Sequence, residues 1–272
     1  MRIKRLRAVL IFFLSLLLLT NETAWAVDRE EQIDIDHLVV RAERSDYESD
    51  EAFANFRPVC MGNISEGVLY RSSSPIGGMG EERARTASIL MEKAKICTVV
   101  NLAYSEEELQ AVMSPGVCIS PYYKTLYEQG NIYTEILPYS YTSEEFAQGI
   151  SRAVTFLAEH EPPYLVHCVG GKDRTGFTVM ILGMLMGATD EEIISDYMKT
   201  NEYFYGILPG TEAYEILANR SIRSLMAQII QADESEPITE KTLRHAAKLY
   251  LHKIGIPEEK IKILEIKLGT GN

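Results

Sequence analysis

Two residues six positions apart, Cys168 and Arg174, carry the clearest chemical signal of this sequence. A cysteine thiolate is a strong nucleophile, and the planar guanidinium of an arginine can bind two oxygens of one phosphate. Gly170 and Gly171 lie between them and allow the backbone to turn tightly, so that successive N–H groups can converge on one anion. The spacing therefore predicts a phosphate-binding loop in which Cys168 attacks the bound group.

The segments on either side of this loop predict how it is held in place. Residues 164–166 form a short apolar run typical of a buried strand, and residues 177–186 are apolar enough for a buried helix. A loop at a helix N-terminus lies in the positive field of the helix, which favours both a bound anion and the thiolate form of Cys168. The predicted phosphate-binding residues are Val169, Gly170, Gly171, Lys172, Asp173 and Arg174.

The other three cysteines do not form a similar loop. The residues six positions after them are unsuitable: Glu66 after Cys60, Ala103 after Cys97 and Lys124 after Cys118. The cysteine spacing matches no zinc pattern, and we expect neither a metal nor a cofactor. We expect Cys97, which lies in an apolar run, to be an inert buried residue. A disulfide between Cys60 and Cys118 is conceivable, but the sequence does not favour it over free thiols.

The segment around Cys168 resembles the signature loop of a known enzyme family. His167-Cys168, five residues and then Arg174-Thr175-Gly176 are similar to the cysteine-dependent phosphatases, which include the protein-tyrosine and dual-specificity phosphatases. The form Cys-x-x-Gly-Lys-Asp-Arg-Thr-Gly resembles a bacterial branch that acts on phosphotyrosine, other phosphoresidues or phosphoinositides. Asn55-Phe56-Arg57-Pro58 and residues 67–75 resemble the same branch, and the resemblance covers roughly residues 52–268. It implies a tyrosine-phosphatase-like fold.

The resemblance assigns roles within the signature loop (168–174). Cys168 would form a cysteinyl-phosphate, while Arg174 and the backbone hold the oxygens on which charge accumulates. Thr175 could donate its hydroxyl to the Cys168 sulfur and ease its departure. His167 is expected to order the loop rather than to transfer protons. Family members usually carry Asp-Leu-Arg where this chain has Asn101-Leu102-Ala103, so the role of that arginine cannot be transferred here.

The proton donor to the leaving group is less obvious from the sequence. Many relatives use an aspartate upstream of the cysteine, but no aspartate lies between Glu51 and Lys172. Asp173 is therefore the leading general acid, although it could instead orient Arg174 through backbone hydrogen bonds. Glu144, Glu145 or water are the alternatives.

Several residues around the loop have two interpretations. Lys172 could bind a second phosphate or acidic group, or it could simply be solvated. Four aromatic residues could form a lid or wall for the substrate, although packing in the core is favoured: Tyr203, Phe204, Tyr205 and Tyr214. Arg71 and Asp196-Tyr197 are interpreted as scaffold, although Arg71 could lie near the pocket.

The N-terminus predicts export. A basic start, an apolar run over residues 8–19 and Ala24-Trp25-Ala26 are typical of a signal peptide over residues 1–26. An uncleaved N-terminal anchor is the alternative interpretation of the same pattern. Residues 27–51 form an acidic, loosely packed arm, and residues 52–268 form one catalytic domain. The formal net charge of −12 argues against nucleic acid as a partner. We expect an extracytoplasmic protein that does not stay inserted in a membrane once the leader is cleaved.

The apolar pattern predicts the fold class. Helices are predicted over residues 81–95, 143–160, 177–186, from 189 onward, 246–251 and 257–268, and strands over residues 96–102, 133–137 and 164–166. Strands that alternate with helices predict an α/β fold with a central, mostly parallel sheet and helices on both faces.

These observations predict an exported cysteine-dependent phosphatase. Its expected substrates are phosphotyrosine or other phosphoresidues in proteins, or a small phosphomonoester. A phosphoinositide or inositol-phosphate phosphatase is the second hypothesis, and a phosphate-binding module without catalysis is a third. The third would require a missing nucleophile or arginine, whereas Cys168 and Arg174 are both present.

Overall fold

The structure is a computed structural model that describes residues 34–230 and 239–269. The chain divides into two compact units, Met1–Leu38 and Val39–Asn272. Of the first unit only residues 34–38 are described, where His37 pairs with Asp34 at 2.9 Å. The predicted signal peptide lies outside the described residues and stays a prediction. Within the described residues, no helix is both long and apolar enough to cross a membrane.

A five-stranded sheet forms the centre of the second unit. Its strands, in chain order, are β1 (Arg57–Pro58), β2 (Leu69–Ser72), β3 (Thr98–Asn101), β4 (Ile132–Thr134) and β5 (Tyr164–His167). The spatial order is β1-β2-β5-β3-β4, with β1 antiparallel to β2 and the other neighbours parallel. The strand before the signature loop, β5, is therefore the middle strand.

Helices follow or separate the strands. They are α1 (Asp50–Phe53), α2 (Glu81–Lys93), α3 (Glu106–Val112), α4 (Pro121–Glu128), α5 (Glu144–Glu159), α6 (Asp173–Leu185), α7 (Asp190–Tyr205), α8 (Glu212–Ala218), α9 (Ser224–Ile230), α10 (Glu240–Lys253) and α11 (Glu258–Gly269). A short π-helical turn, Asn219–Arg223, joins α8 to α9.

Alternation along the strands gives the sheet two buried faces. Val166 faces the larger apolar cluster, formed with α5, α6, α7, α10 and α11, whereas its neighbour Leu165 faces the smaller cluster, formed with α2, α3 and α4. Val100 and Val99 on β3 divide in the same way. Because both faces are covered, every residue of β5 is buried. The predicted fold class is confirmed.

Some predicted elements differ from the structure in extent. The strand predicted over residues 133–137 is only Ile132–Thr134, because its partner β3 ends at Asn101, which pairs with Thr134. The short helices α3 and α4 were not predicted. Each begins with a serine cap, Ser105 or Ser120, which was the available signal.

Part of the acidic arm is packed, at Arg41 and Tyr47, although Val39 is 83% exposed. Tyr47 is buried, and its hydroxyl donates to the carbonyl of Arg41 at 2.7 Å. The backbone N–H of Arg41 in turn donates to the carbonyl of Phe204 at the end of α7. The expectation of loose packing was wrong for this part, because buried aromatic and backbone contacts offset its acidic composition. The predicted domain boundaries themselves stay predictions.

All four cysteines of the chain are free thiols in this structure. The conceivable bridge between Cys60 and Cys118 is thus not formed. Cys97 is exposed, and its sulfur donates to the carbonyl of Lys95 at 3.4 Å. The prediction that Cys97 is buried was wrong. The strand β3, whose residues are all buried, begins only at Thr98, so Cys97 lies just before it.

Candidate active site

The signature loop leaves the carboxyl end of the middle strand. His167, the last residue of β5, lies in register with Ser72 on β2 and with Asn101 on β3. The loop then runs into the N-terminus of α6 at Asp173. In open parallel sheets, ligands bind beyond the carboxyl ends of the strands, and the helix adds positive potential there.

The carbonyl groups of the loop are turned outward and bonded. Val169 O accepts from Ser74 N at 2.9 Å, and Gly170 O accepts from Asn55 Nδ2 at 3.0 Å. Gly171 O accepts from Arg71 Nη2 at 2.7 Å. Because C=O and N–H point in opposite directions in a trans peptide, the N–H groups that follow these carbonyls face the inside of the loop. This arrangement is a cup of donors for an anion.

Two glycines are required by close approach. Gly171 has a φ of +68°, and a Cβ atom there would lie 2.0 Å from the carbonyl oxygen of Ser72. A Cβ at Gly176, in the first turns of α6, would lie 2.6 Å from the ring of Tyr197. Glycine therefore lets the loop lie directly against β2 and lets α6 pack against α7.

Cys168 and His167 are both held in the core. Cys168 is 4% exposed. His167 Nε2 lies 3.0 Å from the hydroxyl of Tyr123, and Nδ1 lies 3.2 Å from the carbonyl of Cys168. Burial raises the pKa of Tyr123 well above its ordinary value, so the phenol donates to Nε2 and the proton of His167 lies on Nδ1.

Burial also keeps His167 uncharged. The pKa of this histidine is lowered from 6.5 to about 4 as the net result of burial and the charge of Arg174, which lower it, and the hydrogen bond to Cys168, which raises it. A neutral His167 orients the backbone of Cys168 and adds no positive charge to the pocket. This agrees with the predicted ordering role, which stays a prediction.

Arg174 is buried, and only part of its guanidinium is used by the protein. Nη1 donates to Leu102 O at 2.8 Å and to Leu137 O at 3.4 Å. Nη2 donates to the hydroxyl of Tyr139 at 3.2 Å. Nε is buried and has no hydrogen-bond partner within the described residues. The Nε atoms of Arg71 and Arg83 are likewise buried without a partner in the described residues, so the case for an oxyanion ligand rests on the charge of Arg174 in the first turn of α6.

Asp173 lies at the first position of α6, and its carboxylate accepts a hydrogen bond from Tyr197 at 3.0 Å. The alternative acids, Glu144 and Glu145, lie exposed at the start of α5, where Glu144 accepts from Gln148 at 2.9 Å. Of these three carboxylates, Asp173 alone belongs to the loop.

The hydrogen bond predicted for Thr175 is not formed. Its hydroxyl oxygen is buried and has no partner within the described residues, because neither the Cys168 sulfur nor another acceptor meets hydrogen-bond geometry in this rotamer. The second-step role of Thr175 stays a prediction. Lys172 places its Nζ 5.2 Å from the ring centre of Tyr205.

The four aromatic residues have different environments. Phe204 is fully buried with Phe53 and Tyr47, and Tyr214 packs against the main core, as the packing interpretation predicted. Tyr205, in contrast, lies next to Lys172 at the loop. Tyr203 and Tyr205 also pack against the cluster that contains Phe204, as the packing interpretation predicted, and a wall for the substrate stays a prediction for Tyr205.

Two tyrosines of the segment before α5 reach the site, which the sequence did not indicate. The ring of Tyr139 lies 4.8 Å from Arg174 Cζ. Tyr141 stacks on Phe177 with ring centres 5.5 Å apart. Burial, and then the charges of Asp173 and Cys168, raise the pKa of Tyr141, which places this phenol near both residues. A cleft of about 660 Å³ begins at Tyr141 and Phe177 and runs between α5, α9 and α10.

Within the described ranges, 34–230 and 239–269, no group of three or more histidine, cysteine, aspartate or glutamate side chains is placed to hold a metal ion.

The loop follows the middle strand, begins with a buried cysteine, forms an anion cup and ends with an arginine at a helix N-terminus. These features are typical of the cysteine-based phosphate-binding loops. The family model described as "Tyrosine phosphatase family" matches residues 53–268. The chain belongs to the tyrosine phosphatase family, and the predicted family is confirmed. This membership supports the predicted class of enzyme, a cysteine-dependent phosphatase.

Two individual proteins show more limited similarity. The triple specificity protein phosphatase PtpB of Mycobacterium tuberculosis is 40% identical over 55 residues, and the match spans 20% of each chain. The core catalytic domain of the PP-IP phosphatase SIW14 from S. cerevisiae is 18% identical, with a TM-score of 0.35 over 64% of this chain and 92% of that domain.

Proposed function

We propose that this chain is an exported phosphatase that hydrolyses phosphomonoesters through a cysteinyl-phosphate, with protein phosphotyrosine as its main substrate. The observation that carries the proposal is the signature loop itself. Its carbonyls are bonded outward to Ser74, Asn55 and Arg71, and Arg174 follows in the first turn of α6. Donors arranged in advance for the phosphoryl oxygens are what phosphoryl transfer needs most.

The reaction proceeds in two displacements. The sulfur of Cys168 forms a bond to phosphorus while the bond from phosphorus to the ester oxygen breaks, and Asp173 gives its proton to the departing oxygen. Water then attacks phosphorus, the sulfur leaves as a thiolate, and Asp173 takes up a proton from the water. Arg174 and the loop N–H groups hold the equatorial oxygens in both steps.

The surroundings of the cup support an aromatic substrate. Tyr139 is 69% exposed and its ring lies over the guanidinium of Arg174, at the mouth of the site. An exposed ring in this position can contact the ring of a phosphotyrosine. Tyr141 continues the aromatic lining toward the cleft between α5 and α10.

A phosphoinositide or inositol phosphate is the second candidate substrate, and Lys172 favours it. The ammonium group of Lys172 lies next to the cup and can pair with a second phosphate. The similarity to PtpB, a triple specificity protein phosphatase, supports a site that accepts more than one class of phosphate. A phosphate-binding module without catalysis is not supported, because the nucleophile and the arginine are both in place.

Export is proposed from the sequence of residues 1–26. The test is N-terminal sequencing of the protein recovered outside the cytoplasm of an expressing bacterium. A mature N-terminus near Val27 supports export with cleavage, whereas an intact N-terminus in the cytoplasm contradicts it.

The substrate is tested by phosphate release from a panel: a phosphotyrosine peptide, a phosphoserine peptide, a phosphoinositide and inositol hexakisphosphate. We expect the highest kcat/KM on the phosphotyrosine peptide and no release by Cys168→Ser. Higher kcat/KM on the phosphoinositide or the inositol phosphate would establish the second candidate instead. Equal release by wild type and Cys168→Ser would contradict both.

A further inference from the structure

A fully buried arginine lies behind the signature loop. Arg71, on β2, has no solvent exposure. Its Nη2 donates to Gly171 O at 2.7 Å and to Lys172 O at 3.3 Å. Its Nη1 donates to the carboxylate of Asp196 on α7. Arg71 contacts the loop from the side opposite to the cup, so it cannot itself touch a bound phosphoryl group.

A second arginine shares the same carboxylate. Arg57 Nε donates to Asp196 Oδ1 at 3.2 Å, and Nη2 donates to Thr200 Oγ1 at 3.1 Å. The side chain of Asp196 is only 13% exposed. Two guanidinium groups and one carboxylate leave one net positive charge directly behind the anion cup, where the low exposure limits screening by water.

Asn55 extends this contact to the neighbouring peptide. Its Nδ2 donates to Gly170 O at 3.0 Å and to Gly171 O at 3.3 Å, while its Oδ1 accepts from Thr200 at 3.1 Å and also from Arg57. The carbonyls of Gly170, Gly171 and Lys172 are thus all held by side chains from β2 and from the segment before β1. A rotation of any of these peptides would turn an N–H group away from the phosphoryl oxygens.

We propose that Asn55, Arg71 and Asp196 are positioning residues of the phosphatase, which hold three consecutive peptides of the loop with their N–H groups toward the substrate. The inference rests on the proposed function. Asp196 orients Arg71, and Arg71 and Asn55 orient the loop. Their effect on the reaction therefore passes entirely through the backbone and through the positive charge behind it.

The chain contains a matched control for Arg71. Arg83, on α2, is also buried, at 2% exposure, and also donates to backbone carbonyls, those of Phe53 and of Arg41, the latter at 2.8 Å. It lies over the ring of Phe53 and makes none of the loop contacts described above. Arg83→Lys therefore disturbs a buried arginine of the same kind without removing a hydrogen bond to the loop.

The experiment compares wild type, Arg71→Lys and Arg83→Lys. For each, kcat and KM are measured with para-nitrophenyl phosphate, the dissociation constant for orthovanadate is measured by calorimetry, and the thermal midpoint is recorded. A lysine can replace one hydrogen bond of Arg71, but it cannot replace the two donor nitrogens of its planar guanidinium. We expect Arg71→Lys to weaken vanadate binding and to lower kcat/KM by at least about tenfold. We expect Arg83→Lys to change both quantities less than about threefold, although the thermal midpoints of the two variants fall by similar amounts.

A second variant decides the case in which Arg71→Lys does not fold. Asn55 has a φ of +50°, which aspartate tolerates, so Asn55→Asp keeps the backbone and the acceptor for Arg57 but removes the donor to Gly170 O. We expect the same loss of vanadate affinity. If the variant that folds, Arg71→Lys or Asn55→Asp, binds vanadate as tightly as Arg83→Lys does, the positioning role is overturned. The proposed function is not affected by that result. A wild-type chain that neither hydrolyses phosphate esters nor binds vanadate would overturn the proposed function, and this inference with it.

Discussion

The hydroxyl of Tyr139 accepts a hydrogen bond from Nη2 of Arg174 at 3.2 Å, and the same ring lies 4.8 Å from the Cζ atom of that guanidinium. One contact thus joins the segment before α5 to the first turn of α6. It also places an exposed aromatic ring beside the buried donors of the phosphate site.

Replacement of Tyr139 tests the preference for aryl phosphates. We expect Tyr139→Ala to lower kcat/KM for a phosphotyrosine peptide by about 2- to 10-fold, the value of one aromatic pair, and to change kcat/KM for a small alkyl phosphate less. Tyr139→Phe keeps the ring and should retain the preference. Equal losses on both substrates for Tyr139→Ala would show that the ring does not contact the leaving group.

Replacement of Arg174 tests the oxyanion contacts. Arg174→Lys keeps a positive charge but cannot hold Leu102 O, Tyr139 and a phosphoryl group together. We expect kcat/KM to fall by about 10²- to 10³-fold, as for the loss of an oxyanion donor. Arg83→Lys, which removes no hydrogen bond to the loop, should keep most of the activity. Wild-type kcat/KM in Arg174→Lys would rule out the assigned role.

The general acid is tested through the leaving group. Asp173→Asn keeps the acceptor for Tyr197 but carries no proton to donate. We expect kcat to fall by about 10²- to 10⁴-fold with a leaving group of high pKa and to change little with para-nitrophenol, which leaves without protonation. Glu144→Gln serves as the control. A leaving-group dependence that appears in Glu144→Gln and not in Asp173→Asn would transfer the role to Glu144.

The buried histidine predicts a pH dependence of stability. His167 is neutral in the folded chain, because burial lowers its pKa to about 4, whereas the unfolded chain takes up a proton below about 6.5. The stabilisation is therefore complete above pH 6.5 and is lost as the pH falls from 6.5 to 4, by roughly 3 kcal/mol in total. Urea unfolding between pH 6.5 and 4 should show a smaller loss of the free energy of unfolding for His167→Gln than for wild type. Parallel curves for the two proteins would contradict the buried neutral ring.

The sequence was sufficient to predict the elements whose pattern lies within a few consecutive residues. The apolar runs of residues 164–166 and 177–186 predicted β5 and α6, because continuous burial on both sides of a sheet requires apolar side chains at every position. The spacing of Cys168 and Arg174 predicted the loop between them. Family membership followed from the resemblance of this loop and its neighbours, and the parallel α/β fold followed from the alternation of predicted strands and helices.

Contacts between distant segments could not be predicted. Arg71 reaches the carbonyl of Gly171, 100 residues further along the chain, only because β2 pairs with β5 in a register that places Arg71 opposite Val166. Nothing local to Arg71 or Tyr139 indicates these partners. The error at Cys97 has a similar origin, since the first residue of the ladder depends on where β5 lies.

The most direct test of the account is the identity of the phosphorylated intermediate. Wild-type enzyme is mixed with an aryl phosphate, quenched in acid within one turnover and digested, and its peptides are examined by mass spectrometry. We expect a phosphoryl group on the Cys168 sulfur in wild type, and neither this adduct nor turnover in Cys168→Ser. Rapid turnover of Cys168→Ser, or a phosphoryl group on another residue of an active enzyme, would contradict it.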